Sequence, residues 1–373
     1  MRVPLNDVAA QQIAIAGAAL EAVARTARDA RFILGATVEE FERWLAEACC
    51  ARDAVGVASG TDAIELSLRS LGVGAGDAVI TPALSFIAAA EAIAQTRARP
   101  VFCDVERETM CASERTVGAA VGRARRAGLR VRAVVPVHLF GLCAAVPEIG
   151  ALAAAEGLAV VEDAAQALGG LDAIGRPAGA AGVAGCFSFF PTKNLGAWGD
   201  GGALVTSDPD LAARARRLRA HGATGPYIHA ETGRNSRLDA VQAAVLLAKV
   251  PHLPAWQTAR DRLAARYTEG LVGLPLALPA TPASPGRHAW HAFVIRTPRR
   301  DGLASFLRER GVESRVYYPL PLHRQPCFEA LGEPALPVSE EVCRTALALP
   351  FHPALSDQAQ AWVTEGVRRF FQA

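Results

Sequence analysis

The chain of 373 residues contains two lysines, Lys193 and Lys249, beside 37 arginines. A lysine amine can lose its proton and attack a carbonyl carbon, whereas an arginine guanidinium stays protonated. Lys193 follows the aromatic run Phe187-Ser188-Phe189-Phe190 and precedes a glycine-rich turn at residues 199–202. Apolar neighbours disfavour the ammonium form, and glycines let the backbone approach a flat ligand closely. This pattern indicates that Lys193 forms a Schiff base. Lys249, near the end of a predicted helix, has a structural interpretation.

Two polar side chains follow an apolar strand predicted at residues 158–162. Asp163 comes directly after this strand, and Gln166 follows one turn later. In open α/β sheets, ligands bind at the carboxyl ends of the strands. A carboxylate there can pair with a protonated ring nitrogen, and an amide can donate to a ring oxygen. From these residues alone, a helix cap after a strand is an equally good interpretation of Asp163.

The run Ser59-Gly60-Thr61-Asp62 marks a turn that passes into a helix predicted at residues 61–71. The N-terminus of a helix offers free N–H groups and a partial positive charge, which suit a phosphate, and Thr61 adds a hydroxyl. The alternative is an ordinary capping box formed by Asp62 and Glu65. The run on its own favours the cap.

The elements that position these residues alternate along the chain. Short apolar strands are predicted at residues 78–80, 100–104, 131–137 and 158–162, with helices between them. This alternation indicates a parallel sheet covered on both faces. It fades after residue 206, and a smaller α+β unit follows. We expect a large α/β domain at residues 1–250, whose N-terminal helix at 8–30 packs on the small domain, and a small C-terminal α+β domain at residues 251–373.

Composition narrows the class of protein. The formal net charge is +2, and no apolar run approaches the roughly 20 residues of a membrane span. The beginning of the chain lacks the apolar core of a signal peptide. Eight cysteines include no C-x-x-C pair, so buried thiols are expected rather than a metal site. We expect a soluble cytoplasmic protein that binds neither nucleic acid nor membrane.

Several motifs now converge on one family. Residues 32–35, 59–63, 136–141, 162–166, 188–196 and 235–239 appear in an order and spacing that resemble the DegT/DnrJ/StrS family of pyridoxal 5′-phosphate (PLP)-dependent sugar aminotransferases. The resemblance covers nearly the whole chain. It implies the aspartate-aminotransferase-like PLP fold (fold type I), with a large, mostly parallel-sheet α/β domain and a smaller α+β C-terminal domain.

The resemblance also implies roles for individual residues. Lys193 binds PLP and moves the proton, and Asp163 acts with it as a catalytic residue on the ring nitrogen. Asn235 reaches the phosphate from the partner subunit, which implies a homodimer with shared active sites. Arg237 binds the carboxylate of the amino donor, and a structural role is favoured for His138. The implied cofactor contacts are Gly60, Thr61, Asp62, Phe86, Asp163, Gln166, Ser188, Lys193 and Asn235, and the implied substrate contacts are Phe32, Arg237, Tyr317 and His323.

The implied reaction is a ping-pong amino transfer in deoxysugar biosynthesis, in which PLP cycles through pyridoxamine 5′-phosphate. L-glutamate is the expected donor, and a nucleotide-linked keto-sugar is the acceptor. Residues 233–239 and 290–296 resemble enzymes that aminate C-3 of a dTDP-3-keto-6-deoxyhexose. Amination at C-4 of a nucleotide-4-keto-sugar, amination of a keto-cyclitol and a non-catalytic PLP-binding regulatory protein are the alternatives. Lys193 argues against the family's dehydrating branch, which carries histidine in its place.

Overall fold

The computed structural model describes residues 1–372, and a seven-stranded sheet forms its centre. Its strands, in chain order, are β1 (Asp53–Val57), β2 (Asp77–Pro82), β3 (Arg99–Cys103), β4 (Arg130–Val134), β5 (Ala159–Asp163), β6 (Ala184–Ser188) and β7 (Gly202–Thr206). They lie side by side in the order β1-β7-β6-β5-β4-β2-β3. Neighbouring strands are parallel, except that β7 runs antiparallel to both β1 and β6. The predicted, mostly parallel sheet is confirmed.

Helices cover both faces of this sheet. Because successive side chains of a strand point to opposite faces, Leu204 and Cys186 pack into one apolar cluster while Val205 and Phe187 pack into another. This double burial explains why the strands are apolar throughout. The helices are α1 (Val8–Ile13), α2 (Ala16–Asp29), α3 (Ala36–Ala48), α4 (Gly60–Ser70), α5 (Ala88–Gln95), α6 (Glu114–Arg126), α7 (Val146–Ala155), α8 (Pro209–Leu218), α9 (Ala240–Lys249), α10 (Leu253–Leu271), α11 (Arg300–Glu309), α12 (Pro337–Thr345) and α13 (Asp357–Gln372).

Two smaller antiparallel pairs lie outside the central sheet. A hairpin joins β8 (Ala223–Gly225) to β9 (Ile228–His229), and β10 (Phe293–Arg296) pairs with β11 (Ala346–Leu349). The second pair shares an apolar cluster with α10, α11 and α13, to which Tyr267, Leu303 and Val363 contribute. A small C-terminal sheet with helices is therefore present, as predicted. The division at residue 250 stays a prediction.

The N-terminal part differs from the expectation of one helix at residues 8–30. The buried Ile15 donates its N–H to the carbonyl of Gln12, and this tighter turn separates α1 from α2. Helix α2 packs against α9 of the large unit. Ahead of α1, Val3 contacts the C-terminal unit by exchanging backbone hydrogen bonds with Gly311 and Glu313. Within residues 1–372, no helix is both long and apolar enough to cross a membrane.

Candidate active site

A cavity of about 510 Å³ lies at the carboxyl ends of the central strands. Asp163 ends β5 and Ser188 ends β6, and both line this cavity, which we call the active pocket. The sheet thus brings together residues that are far apart in the sequence. The predicted site residues that line the active pocket are Gly60, Thr61, Phe86, Asp163, Gln166, Ser188, Lys193 and Tyr317.

Lys193 projects from a tight turn between β6 and β7. Its backbone N–H donates to the carbonyl of Phe190 at 2.8 Å, which closes the turn. Gly196 follows, and a side chain there would collide with the backbone of Pro191. Burial lowers the pKa of the Lys193 amine to about 8, although the negative charge of Asp163 acts in the opposite direction. The amine is therefore much closer to its neutral, nucleophilic form at pH 7 than an exposed lysine is.

Asp163 is held rigidly at the end of its strand. Its N–H donates to Pro136 at 2.9 Å, and its carbonyl accepts from His138 at 3.0 Å. The carboxylate Oδ1 accepts from the Ala165 N–H at 3.1 Å. Burial raises the pKa of this carboxyl, while hydrogen bonding and the charge of Lys193 lower it in part. A buried acidic group is thus presented to the ligand with few protein partners of its own.

A buried pair of side chains supports Asp163 from behind. His138 Nε2 lies 2.8 Å from Glu162 Oε2, and both side chains are inaccessible to solvent. His138 Nδ1 accepts from the Ala144 N–H, so the ring proton resides on Nε2 and points to the carboxylate. Glu162 also accepts three backbone N–H groups from residues 179–182. This arrangement agrees with the structural role favoured for His138.

The start of α4 and the end of β6 form a cradle in the active pocket. Ser59 caps the helix, and its Oγ accepts from the Asp62 N–H at 3.1 Å. A Cβ on Gly60 would stand 2.8 Å from the Cβ of Ser188, so only glycine permits this close approach. The N-terminal N–H groups of Gly60 and Thr61 and the hydroxyl of Ser188 face the same pocket.

Asp62 departs from its prediction as a phosphate contact. Its N–H is already bonded to Ser59, and its carboxylate accepts from Ser236 Oγ at 2.9 Å. Asp62 is not among the residues of the described chain, 1–372, that line the active pocket. The cap of α4 is therefore Ser59 and not the predicted box of Asp62 and Glu65, while Gly60 and Thr61 remain available to an anion.

Gln166 and a group of aromatic rings form another wall. Gln166 Oε1 accepts from the Phe140 N–H at 2.7 Å, and its Nε2 donates to Tyr318 at 3.2 Å. The rings of Tyr317 and Tyr318 stack with Phe140 at centroid distances of 6.4 and 6.5 Å. Phe86 is half-exposed and lines the pocket as well. One N–H of the Gln166 amide stays free for a ligand oxygen.

Four further predicted residues lie away from the lining of the active pocket, as far as the described chain shows. Asn235 and Phe32 are exposed, and Arg237 is partly exposed. The Phe32 carbonyl accepts from the Ala240 N–H, which places Phe32 beside the start of α9. The prediction of His323 as a substrate contact needs correction. His323 is only 2% exposed, and its Nε2 forms a hydrogen bond with Glu340 at 3.0 Å.

The structure also adds lining residues that the sequence did not identify, among them Ser85, His291 and Tyr318. Tyr318 neighbours Tyr317, and that proximity was the available signal. Burial and the charge of Lys193 hold the pKa of His291 well below its ordinary value, so its ring is neutral at pH 7. Its Nδ1 is buried and has no hydrogen-bond partner within residues 1–372.

The residues present suit PLP. An amine of lowered pKa, a carboxylate with a free oxygen, a helix N-terminus with a hydroxyl and a half-exposed aromatic ring face one cavity. These are the groups that could hold an aldehyde, a pyridine nitrogen, a phosphate and a flat ring, respectively.

Comparisons with known proteins agree with this arrangement. Residues 14–368 match the model of the DegT/DnrJ/EryC1/StrS aminotransferase family. The chain is 42% identical over 376 residues to the "Pleiotropic regulatory protein" of Geobacillus stearothermophilus, covering 100% of this chain and 99% of the relative. It is 41% identical to the UDP-N-acetyl-3-dehydro-alpha-D-glucosamine 3-aminotransferase of Acidithiobacillus ferrooxidans, covering 98% of this chain and 97% of the relative.

A third relative is the dTDP-3-amino-3,4,6-trideoxy-alpha-D-glucose transaminase of Streptomyces venezuelae, 42% identical, covering 99% of this chain and 96% of the relative. Among solved structures, S. venezuelae DesV in complex with a ketimine intermediate superposes with a TM-score of 0.94 at 41% identity, covering 100% of this chain and 99% of that chain. This similarity confirms the predicted fold type I. The chain belongs to the DegT/DnrJ/EryC1/StrS aminotransferase family and is a PLP-dependent sugar aminotransferase.

Proposed function

We propose that this chain transfers an amino group from L-glutamate to C-3 of a nucleotide-linked keto-sugar, with a dTDP-3-keto-6-deoxyhexose as the favoured substrate. The observation that carries the proposal is the pairing of Lys193 with Asp163 in one cavity. The position of amination is supported by the relatives from A. ferrooxidans and S. venezuelae, which are named for 3-amino chemistry on UDP- and dTDP-linked sugars.

In this proposal, different residues of the active pocket bind different parts of the cofactor. Lys193 would make the covalent link, and Asp163 would pair with the ring nitrogen through the carboxylate oxygen that Ala165 leaves free. The free N–H of Gln166 would donate to the ring oxygen. Ser188 and the N–H groups that begin α4, which include those of Gly60 and Thr61, would hold the phosphate. Phe86 would contact the ring.

PLP, when bound, supplies an aldehyde carbon that links to amines and a ring that withdraws electrons. Lys193 Nζ then moves a proton from the Cα of the amino acid, and its pKa of about 8 suits an amine that gains and loses protons near neutral pH. Asp163 would hold a proton at the ring nitrogen, because a buried carboxylate is stabilised by a positive charge beside it. Phe140 and the two tyrosines form an aromatic wall of the same pocket.

The exposed residues Asn235, Arg237 and Phe32 enter the proposal through a homodimer. They lie outside the active pocket of their own chain, so they would serve the pocket of the partner subunit. A guanidinium binds a carboxylate bidentately, which suits Arg237 to the L-glutamate donor. Tyr317 lines the pocket and is proposed to contact the sugar.

Two alternatives keep the same cofactor site. Amination at C-4 of a nucleotide-4-keto-sugar needs the same groups in another substrate orientation. A PLP-binding regulator without turnover is favoured by the name of the G. stearothermophilus relative. Turnover is favoured by the relatives from A. ferrooxidans and S. venezuelae, which are named for amino transfer to nucleotide-linked sugars.

The decisive experiment supplies purified holoenzyme with L-glutamate and four acceptors: dTDP- and UDP-linked sugars with a keto group at C-3 or C-4. We expect L-glutamate to bleach the visible band of the cofactor and NMR to show a new amine at C-3. A product aminated at C-4 would replace the C-3 assignment. Bleaching without any aminated sugar would support another acceptor, and a protein that binds PLP without bleaching would support the regulator. Lys193→Ala is the control that loses the covalent link.

A further inference from the structure

A second cavity, of about 270 Å³, lies on the other side of the turn that carries Lys193. We call it the rear pocket. Asn194, the residue after Lys193, lines it, and it shares no lining residue with the active pocket among residues 1–372. Its remaining walls combine arginines with apolar side chains, namely Arg260, Arg287, Trp44, Trp256, Leu168 and Leu253.

Arg260 is the unusual member of this lining. Arg260 is only 4% exposed, yet its guanidinium forms no ion pair within the described chain. Its one hydrogen bond runs from Nη1 to the carbonyl of Trp290 at 2.9 Å. Burial lowers the pKa of its guanidinium to about 10. A guanidinium has five N–H donors, and within residues 1–372 Arg260 uses one of them, so the others are available to an acceptor that enters the pocket.

Arg287 adds a second positive charge to the rear pocket, and Asn194 adds a polar atom without a hydrogen-bond partner among residues 1–372. Arg287 donates from Nε to the carbonyl of Gly169 at 2.8 Å, and its charge lowers the pKa of Asp261 in part. Asp261 itself is bonded to Gln257 and does not line the pocket. Asn194 is 8% exposed, and its Oδ1 accepts no hydrogen bond from residues 1–372. The described lining therefore holds two positive charges and no carboxylate.

We infer that the rear pocket binds a small aromatic or branched carboxylate, with its charge on Arg260 and Arg287 and its apolar part against Trp44 and Trp256. Guanidinium groups bind carboxylates through paired, charge-assisted hydrogen bonds. Indole rings offer a large apolar surface to a flat ligand. The cavity is about half the size of the active pocket, which suits a single-ring acid rather than a nucleotide sugar.

The rear pocket is connected to the active pocket through one segment of backbone. Arg260 donates a hydrogen bond to the carbonyl of Trp290, and Asn194 Nδ2 donates one to the carbonyl of Ala289 at 2.7 Å. The next residue, His291, lines the active pocket. A ligand that engages Arg260 therefore contacts the groups that support this wall of the active pocket.

The test is a calorimetric titration of the holoenzyme with sodium benzoate, alongside benzamide, which has the same shape without the charge. We expect one benzoate per chain and no comparable binding of benzamide. Arg287→Gln, at an exposed position, should weaken benzoate binding about tenfold, as expected for a lost charge-assisted hydrogen bond. Arg260→Gln should weaken it further. Arg132→Gln, an exposed change on β4, is the matched control and should bind like the wild type.

Benzoate could also enter the active pocket, so the visible band of the cofactor is recorded during the first titration, and the titration is then repeated with excess L-glutamate. We expect benzoate to leave the band unchanged in the first titration and to bind equally well in the second. Displacement by L-glutamate, equal binding of benzamide, or wild-type affinity in both arginine variants would overturn the inference. Because Arg287 is exposed, its variant keeps the test valid even if Arg260→Gln fails to fold. The glutamate half-reaction of Arg287→Gln reports separately on the proposed function.

Discussion

Lys249 Nζ donates a hydrogen bond of 2.5 Å to the carbonyl oxygen of Gly196, so the two lysines of the chain meet at one turn. Lys249 is 2% exposed and lies at the end of α9. Burial lowers the pKa of its amine to about 8. The turn that presents Lys193 is thus closed on one side by its own backbone and held on the other by the second lysine. The structural interpretation of Lys249 is specific: it supports the turn that carries Lys193.

Replacing Lys249 with methionine should destabilise the protein, because the Gly196 carbonyl loses its donor. Leaving a buried acceptor unpaired costs about 1–3 kcal/mol, which urea unfolding of the apoprotein would measure. The wild type should also gain stability as pH rises from about 8 to 10.5, since the unfolded lysine still binds a proton that the folded lysine has released. Lys249→Met should lack this part of the rise. Identical pH profiles for the two proteins would contradict the burial of an ionisable amine.

Replacing Glu162 with glutamine should be among the most damaging single changes in the central sheet. Burial raises the pKa of Glu162, but His138 and three backbone N–H groups outweigh it, so the net pKa lies below its ordinary value. A hydrogen bond to a charged group contributes about 1.5–3 kcal/mol, and the substitution removes the charge from all of them. The stability that Glu162 contributes should be present above pH 4.5 and vanish as pH falls through its lower folded pKa. Glu40→Gln, at an exposed position on α3, is the control and should stay near the wild type.

Gly60→Ala should weaken cofactor binding more than it weakens the fold. The added methyl group would stand 2.8 Å from the Cβ of Ser188 and push the start of α4 away from β6. We expect the affinity for PLP to fall by about tenfold or more, the effect of losing one charge-assisted hydrogen bond to the phosphate. Gly150→Ala is the matched control, since nothing lies within 4 Å of its added Cβ in α7. Equal PLP affinities in the two variants would show that the phosphate does not bind between the start of α4 and the end of β6.

Mixed dimers test whether Asn235 serves the partner subunit. Neither Lys193→Ala nor Asn235→Ala should be fully active alone. If Asn235 acts across a dimer interface, each hybrid dimer contains one intact site, so refolding an equal mixture should restore about a quarter of the wild-type activity. If Asn235 acts within its own chain, no intact site forms and the mixture stays as weak as its components. Sedimentation of the wild type measures whether the dimer exists.

Much of the active pocket was predictable because its signals are local. Asp163 follows a strand, Gly60 precedes a helix and Lys193 lies in an apolar, glycine-rich setting, and the structure places all three in one cavity. The predictions were less accurate for residues whose role depends on their hydrogen-bond partners. Asp62 has the same spacing whether its N–H bonds a phosphate or Ser59, and only the position of the Ser59 side chain decides between them.

The sequence by itself determined the mostly parallel sheet and the family, and it predicted the edge at which a ligand binds and the lysine that reacts, because each is recorded in the order and type of neighbouring residues. The tertiary structure decided which residues face one cavity: it buried His323 against Glu340, brought His291 into the active pocket and set Lys249 against Gly196. It also left Arg260 buried without an acid. These facts depend on contacts between segments far apart along the chain, and burial and pairing have no local signature in the sequence.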